Sequence, residues 1–255
     1  MNRGVAFALN FGLERITSRY IARMDSDDIC RKDRLAQQLL FMEANPDLGV
    51  AGSYVETFGT KRQLAAFPTN HDDLKVSLLS YNPIAHSSVI FRADLFSQFK
   101  LRYREAYKYC EDYDLWACAA RCFRIANIPL PLVRYRRHDA QASNRYHGVQ
   151  EMHARRIQME QMHWLCDGLS PREQEMYEVI LDGNQQRYNE PSKKGVSSFV
   201  QRILTTNQTR KEIGALKQKI LTKNQTKHAY SHTLLSEALD APRHGPPIVP
   251  LPVLD

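Results

Sequence analysis

Apolar and polar positions change period several times along this chain. Over residues 5–16, Ala6, Leu9, Leu13 and Ile16 fall on one face at helical spacing, which predicts a helix. Residues 20–24 break that spacing. Tyr20, Ile21, Ala22 and Met24 alternate little, the pattern of a short strand covered on both faces. A buried strand needs neighbours on both sides to pair its backbone, and only a helix precedes this one. Asp33 predicts the N-cap of a helix over 34–44, with Leu35, Leu39 and Met42 as its apolar face and Asn45-Pro46-Asp47 as its stop. A strand is expected at 50–58, and a turn leading into a strand at 82–91. Short helices are expected at 72–79 and 92–99, a Tyr-rich loop over a site at 102–109, and a helix at 111–121. Two extended segments, broken at Pro129 and Pro131, fill 125–136. Helices interleaved with strands describe an α/β class.

The character changes near residue 148. Residues 1–148 form the α/β domain in this reading. Residues 149–240 form a helical, basic extension, with helices at 153–166 and 171–181. Residues 241–255 hold five prolines and read as a flexible tail.

Composition narrows the class. The chain has 255 residues, 43% of them apolar, enough for a real core. Five cysteines without a Cys-x-x-Cys pair fit a reduced, cytoplasmic setting. No signal peptide and no apolar run near the length of a membrane span is present. The net charge of +7 is concentrated late: residues 186–232 carry ten Lys or Arg against two acids. There Phe199, Val200, Ile203 and Leu204 lie beside Lys193, Lys194 and Arg202. That stripe either packs on the domain or lies on an anionic membrane surface as a peripheral contact. Aromatics hardly interleave these cations, and no nucleic-acid module is recognisable, so a nucleic-acid partner is not expected.

Two acidic places carry candidate chemistry. Asp25 and Asp27 follow the strand at 20–24, where ligands gather at strand ends in open α/β sheets. Their spacing points both side chains the same way, and paired carboxylates suit a hard cation such as Mg²⁺ or Mn²⁺. A plain turn with an N-cap explains the same residues. An EF-hand loop does not, because Cys30 holds the sixth position and Ala36 the twelfth. Glu111 and Asp112 open the helix at 111–121, which the helix dipole alone accounts for. Together with His138, in Tyr135-Arg-Arg-His138, they complete an inventory suited to a transferase: a metal site, a base and a further donor.

These segments resemble the family-2 glycosyltransferases, inverting enzymes of the GT-A fold. The resemblance runs in order through residues 2–13, Tyr20-Ile-Ala-Arg-Met-Asp-Ser-Asp-Asp28, Arg34-Leu35 with Gln38, and residues 45–53. It continues through His86-Ser-Ser-Val-Ile-Phe-Arg92, Tyr109-Cys-Glu-Asp-Tyr-Asp-Leu-Trp116 and Tyr135-Arg-Arg-His138. It implies a partial GT-A (Rossmann-like) sheet with flanking helices. It also implies a nucleotide-diphospho-sugar donor and a cell-surface glycan or lipid-linked acceptor, with Mg²⁺ or Mn²⁺ as cofactor. By the same resemblance Asp25 and Asp27 form the Asp-x-Asp motif, with Arg23 and Asp25 on the donor. Asp112 is the catalytic base with Glu111 beside it, and His86 and Trp116 lie on the acceptor side. His138 is open between a metal-facing role and an ordinary surface histidine, while Ser26 and Asp28 read as turn and cap residues. The family opens with two strand–helix units and an Asp-Gly-Ser turn on the nucleoside, which these residues lack. A catalytically inactive remnant is therefore the alternative to an active enzyme.

Overall fold

The structure is a computed structural model and describes residues 3–60, 62–138, 145–166 and 170–182. The basic stretch 186–232 and the tail 241–255 lie outside the described residues.

A six-stranded mixed sheet carries the fold. Its strands are β1 (Tyr20–Ala22), β2 (Ile29–Cys30), β3 (Leu48–Gly59), β4 (Gln63–Ala65), β5 (Ile90–Arg92) and β6 (Arg124–Arg137). The order is β1-β5-β3-β6-β2, with β4 paired to β3. Only β3 and β6 run parallel; the other pairings are antiparallel. Pro131 lies where the β3–β6 register slips, so the two extended segments expected over 125–136 are one strand with an irregularity. A proline cannot donate to the ladder, which accounts for the slip.

Adjacent residues of the central strands enter opposite faces, as a period of two requires. Val50, Phe91 and Ile125 join the larger core with Leu74, Ile84, Phe96 and Trp116. Their neighbours Ala51, Ile90 and Ala126 join a smaller core with Met42 and Leu48. Helices α1 (Val5–Leu13), α3 (His71–Ser77), α4 (Ala93–Gln98) and α5 (Glu111–Cys122) contribute to the first face, and α2 (Arg34–Ala44) covers the second. At Gly52 of β3 an added Cβ would lie 2.2 Å from Asn127 Oδ1 and 3.0 Å from Ile84, so only glycine fits between sheet and loop.

Two expectations are overturned. The strand at 20–24 is β1, at the edge of the sheet among the described residues, and its residues are half-buried or exposed. Its apolar pattern does not correspond to a strand covered on both faces. Helix α2 has the expected length, but of its expected apolar face only Met42 is buried. It buries Arg34, Gln38 and Met42 and exposes Leu35 and Leu39. The inward face meets backbone carbonyls that need donors, and Arg34 and Gln38 supply them. Asp33 precedes the helix but makes no cap hydrogen bond; its carboxylate pairs with Arg31 instead.

Beyond the sheet, α6 (His147–Cys166) packs along α5 and puts Ile157 into the larger core. Gln158 of α6 donates to the Ser80 carbonyl (2.8 Å), and Tyr177 of α7 (Pro171–Asp182) donates to that of Leu79 (2.5 Å).

Candidate active site

The carboxylate turn lies between β1 and β2, which occupy opposite ends of the strand order. It is tied to both sides. On the β1 side, Arg23 N–H donates to the Val89 carbonyl (3.0 Å). On the β2 side, Arg136 N–H donates to Asp28 Oδ1 (2.8 Å) and Arg136 Nε to the Asp27 carbonyl (3.0 Å). Within the turn, Asp28 N–H reaches back to the Asp25 carbonyl (3.3 Å).

The buried Arg34 lies beneath this turn. Its Nη2 donates to the carbonyls of Arg23 (2.7 Å) and Val89 (3.3 Å), and its Nε to Gln38 Oε1 (3.0 Å). Gln38 Nε2 in turn holds the Ser88 carbonyl (2.6 Å). One helix face thus fixes both the turn with Asp25 and the loop with Ser87. Arg34 and Gln38 lie within the motif, yet their spacing suggested no such work.

The three aspartates differ. Asp25 accepts two hydrogen bonds from the Arg23 guanidinium (2.5 and 2.6 Å) and one from Ser87 Oγ (2.7 Å). Burial pushes its carboxyl up, but Arg23 and Ser87 outweigh that and hold it below the usual range. Arg23, expected on the donor, is here spent on Asp25. Asp27 points outward, its side chain 47% exposed, with His138 Nε2 at 3.7 Å from Oδ2. Asp28 is not a simple cap. It is buried, its Oδ2 has no hydrogen-bond partner among the described residues, and burial with repulsion from Asp25 and Asp27 raises its carboxyl.

A hard cation fits the outer side of this turn. Asp27 is open, His138 is adjacent, and Mg²⁺ commonly takes one or two carboxylates and draws its remaining ligands from water and phosphate. A closed protein cage does not form: no group of three or more His, Cys, Asp or Glu converges among the described residues.

The second acidic place is the start of α5. Asp112 is half-buried, and Asn82 Nδ2 donates to its Oδ2 (2.8 Å). Burial pushes its carboxyl up to about 6; neighbouring Glu111 adds to that, while Arg23 and backbone N–H groups oppose it. Between the two acidic places lies a pair of rings, His86 Nε2 against Tyr103 Oη at 2.9 Å. Burial, with Arg23 nearby, brings His86 down to about 3, so its ring is neutral. The field of Arg23 reaches both Asp25 and Asp112, and Tyr103 feels both carboxylates. Trp116, read as acceptor-side, has no exposed surface. It underlies His86 edge-on at 6.0 Å and belongs to the core. Asn82 and Tyr103 carry no motif signal, and Ser87 lies within the His86–Arg92 segment but was assigned no role there; long-range contacts bring the three to the carboxylates.

A mixed α/β sheet with a carboxylate turn at one place and an acidic helix start beside it defines a partial GT-A-type transferase fold. Residues 1–106 match the family model described as "Glycosyl transferase family 2". An uncharacterized glycosyltransferase of Haemophilus influenzae is 33% identical over 170 residues, 62% of this chain and 53% of that protein. An Escherichia coli protein named UDP-Gal:alpha-D-GlcNAc-diphosphoundecaprenol beta-1,3-galactosyltransferase is 36% identical over 119 residues, 45% of this chain and 42% of its own length. The chain therefore spans about half the length of the curated relatives it matches. Among solved structures, S. aureus TarS in complex with UDP-GlcNAc superposes with a TM-score of 0.50 at 12% identity, over 87% of this chain and 72% of that one. Among the described residues, no helix is long and apolar enough to cross a membrane.

Proposed function

We propose that the protein transfers a sugar from a nucleotide-diphospho-sugar to a hydroxyl of a lipid-linked or cell-surface glycan acceptor, in one displacement with inversion. The observation that carries this reading is the Asp112 carboxyl, raised to about 6 and oriented by Asn82, within the field of the same arginine that binds Asp25. A carboxylate of that basicity is a better proton acceptor than an ordinary aspartate and remains ionised at neutral pH. Asp112 takes the acceptor hydroxyl proton as that oxygen bonds to the anomeric carbon. The bond from that carbon to the diphosphate breaks on the opposite side and its electron pair leaves with the diphosphate. Asp27, with Asp25 or His138, would hold Mg²⁺ or Mn²⁺, which supplies charge neutralisation for a diphosphate leaving group. Arg23 and Ser87 keep Asp25 ionised and oriented. The E. coli relative's name supports a lipid-diphosphate acceptor, which would bring the protein to the cytoplasmic face of a membrane.

The test is release of nucleoside diphosphate from UDP-galactose and UDP-N-acetylglucosamine, with a synthetic diphosphate-lipid-linked N-acetylglucosamine as acceptor. Asp112→Asn is expected to lower turnover about 10²–10⁴-fold while Mn²⁺ and UDP still bind. Unchanged turnover in Asp112→Asn, or none in the unaltered protein with any donor, sinks the proposal.

A further inference from the structure

Helix α6 grips the short segment that leads into α5. His153 Nδ1 donates to the Lys108 carbonyl (2.8 Å) and Gln150 Nε2 to the Tyr109 carbonyl (3.0 Å). The Cys110 thiol, kept neutral because burial lifts it to about 12, donates to the Gln150 carbonyl (3.2 Å). The rings of Tyr109 and Tyr146 stack at 4.3 Å and 6°. One residue before Lys108, Tyr107 Oη donates to Glu160 of the same helix. Four consecutive residues are thus held by one helix that lies beyond the segment matched to the family.

The residue at the centre of this grip has an unusual backbone. Tyr109 has φ 67°, and no glycine or asparagine is there to make that conformation cheap. An aromatic residue with positive φ is an outlier that persists only where its surroundings over-determine it, and such residues gather at functional sites. Tyr109 lies two residues before Glu111 and three before Asp112. Its conformation sets the direction in which α5 starts, and hence whether Asp112 meets Asn82.

We infer that Gln150 is a positioning residue: by holding the Tyr109 carbonyl it keeps Tyr109 left-handed and so fixes Asp112 against Asn82. The catalytic part of this inference rests on the function proposed above; the holding itself does not. The left-handed state disfavours a non-glycine residue roughly 5–30-fold. Losing the clamp should therefore release the turn in most molecules, and a glycine at 109 should make the clamp unnecessary.

The experiment compares the unaltered protein with Gln150→Met, which keeps the side-chain length but cannot donate. The second variant is Gln150→Met combined with Tyr109→Gly. Gln150→Glu, equally long and unable to donate when ionised, replaces Gln150→Met if circular dichroism shows that the latter does not fold. The first readout is the ¹³C titration of the Asp112 carboxyl, assigned with Asp112→Asn. It should titrate near 6 in the unaltered protein, fall toward ordinary aspartate values in Gln150→Met, and return in the double variant. The second is transfer: kcat should drop about tenfold in Gln150→Met, with donor KM within about twofold, and recover with Tyr109→Gly. An unaltered Asp112 titration in Gln150→Met overturns the inference. So does failure of glycine to restore it, which would assign α6 a general packing role. If the unaltered protein transfers no sugar, the proposed function falls, and the titration still decides whether Gln150 positions Asp112.

Discussion

The raised Asp112 carboxyl has a cost in stability that can be measured without any substrate. Folding moves this group from 3.8 to about 6. Between those values the folded state holds a proton that the unfolded state has lost, so this group's contribution makes stability fall as pH rises through that window. Above pH 6 the whole penalty is present, and the shift corresponds to about 3 kcal/mol. Asp112→Asn keeps the size and can still accept from Asn82, but carries no charge to desolvate. At pH 7.5 the variant should therefore be more stable than the unaltered protein by up to about 3 kcal/mol. For a chain of this size each kcal/mol raises Tm by roughly 2–4 °C. Below about pH 3.8 both folded and unfolded states are protonated, and the gain should vanish. The assay is thermal unfolding of both proteins by circular dichroism across pH 4–8; differencing the two removes the contributions of every other carboxylate. A gain independent of pH, or a variant less stable at pH 7.5, would refute the claim that burial raises this group.

Other outcomes follow from packing and charge. Arg104→Ala strips the buried Asp114 carboxylate of its cation and should destabilise by about 3–5 kcal/mol in urea unfolding; Asp114→Asn, which leaves Arg104 to Glu160, should cost clearly less. Gly52→Ala drives a methyl group into Asn127, which holds the Pro68 and Pro83 carbonyls, and should cost about 1–3 kcal/mol at unchanged m-value. Asp27→Ala should weaken Mn²⁺ binding in the presence of UDP, read by water proton relaxation, while leaving the unfolding midpoint in place, since its side chain is 47% exposed.

The sequence showed the frame better than the supports. Helix 34–44, the long strand near 50–58 and the acidic helix start at 111 were legible because each is a local pattern of period and cap. The face of helix 34–44 was not. Hydropathy places Leu35 and Leu39 inside, whereas the interior there is lined with carbonyls, and donors such as Arg34 and Gln38 satisfy what leucine cannot. The two carboxylate places were legible as motifs. That Arg23 occupies Asp25, that Asn82 orients Asp112, and that Tyr109 is held left-handed from α6 depend on contacts between residues up to 41 positions apart, or on a backbone angle no composition encodes. Trp116 was misplaced for a related reason: an aromatic near a site reads the same whether it faces a ligand or props up the residue that does.

The doubly tied carboxylate turn also dictates an order of assembly. Asp25 is held by Ser87, 62 positions later, and Asp28 by the backbone of Arg136, 108 positions later. During synthesis the turn leaves the ribosome well before either anchor, and neither anchor exists until most of the sheet has been made. Closing loops of that length is slow and gains nothing until the distant strands dock. The acidic turn is therefore among the last parts of the domain to become rigid, and a nascent chain released before β6 would lack the Arg136 anchors on Asp27 and Asp28.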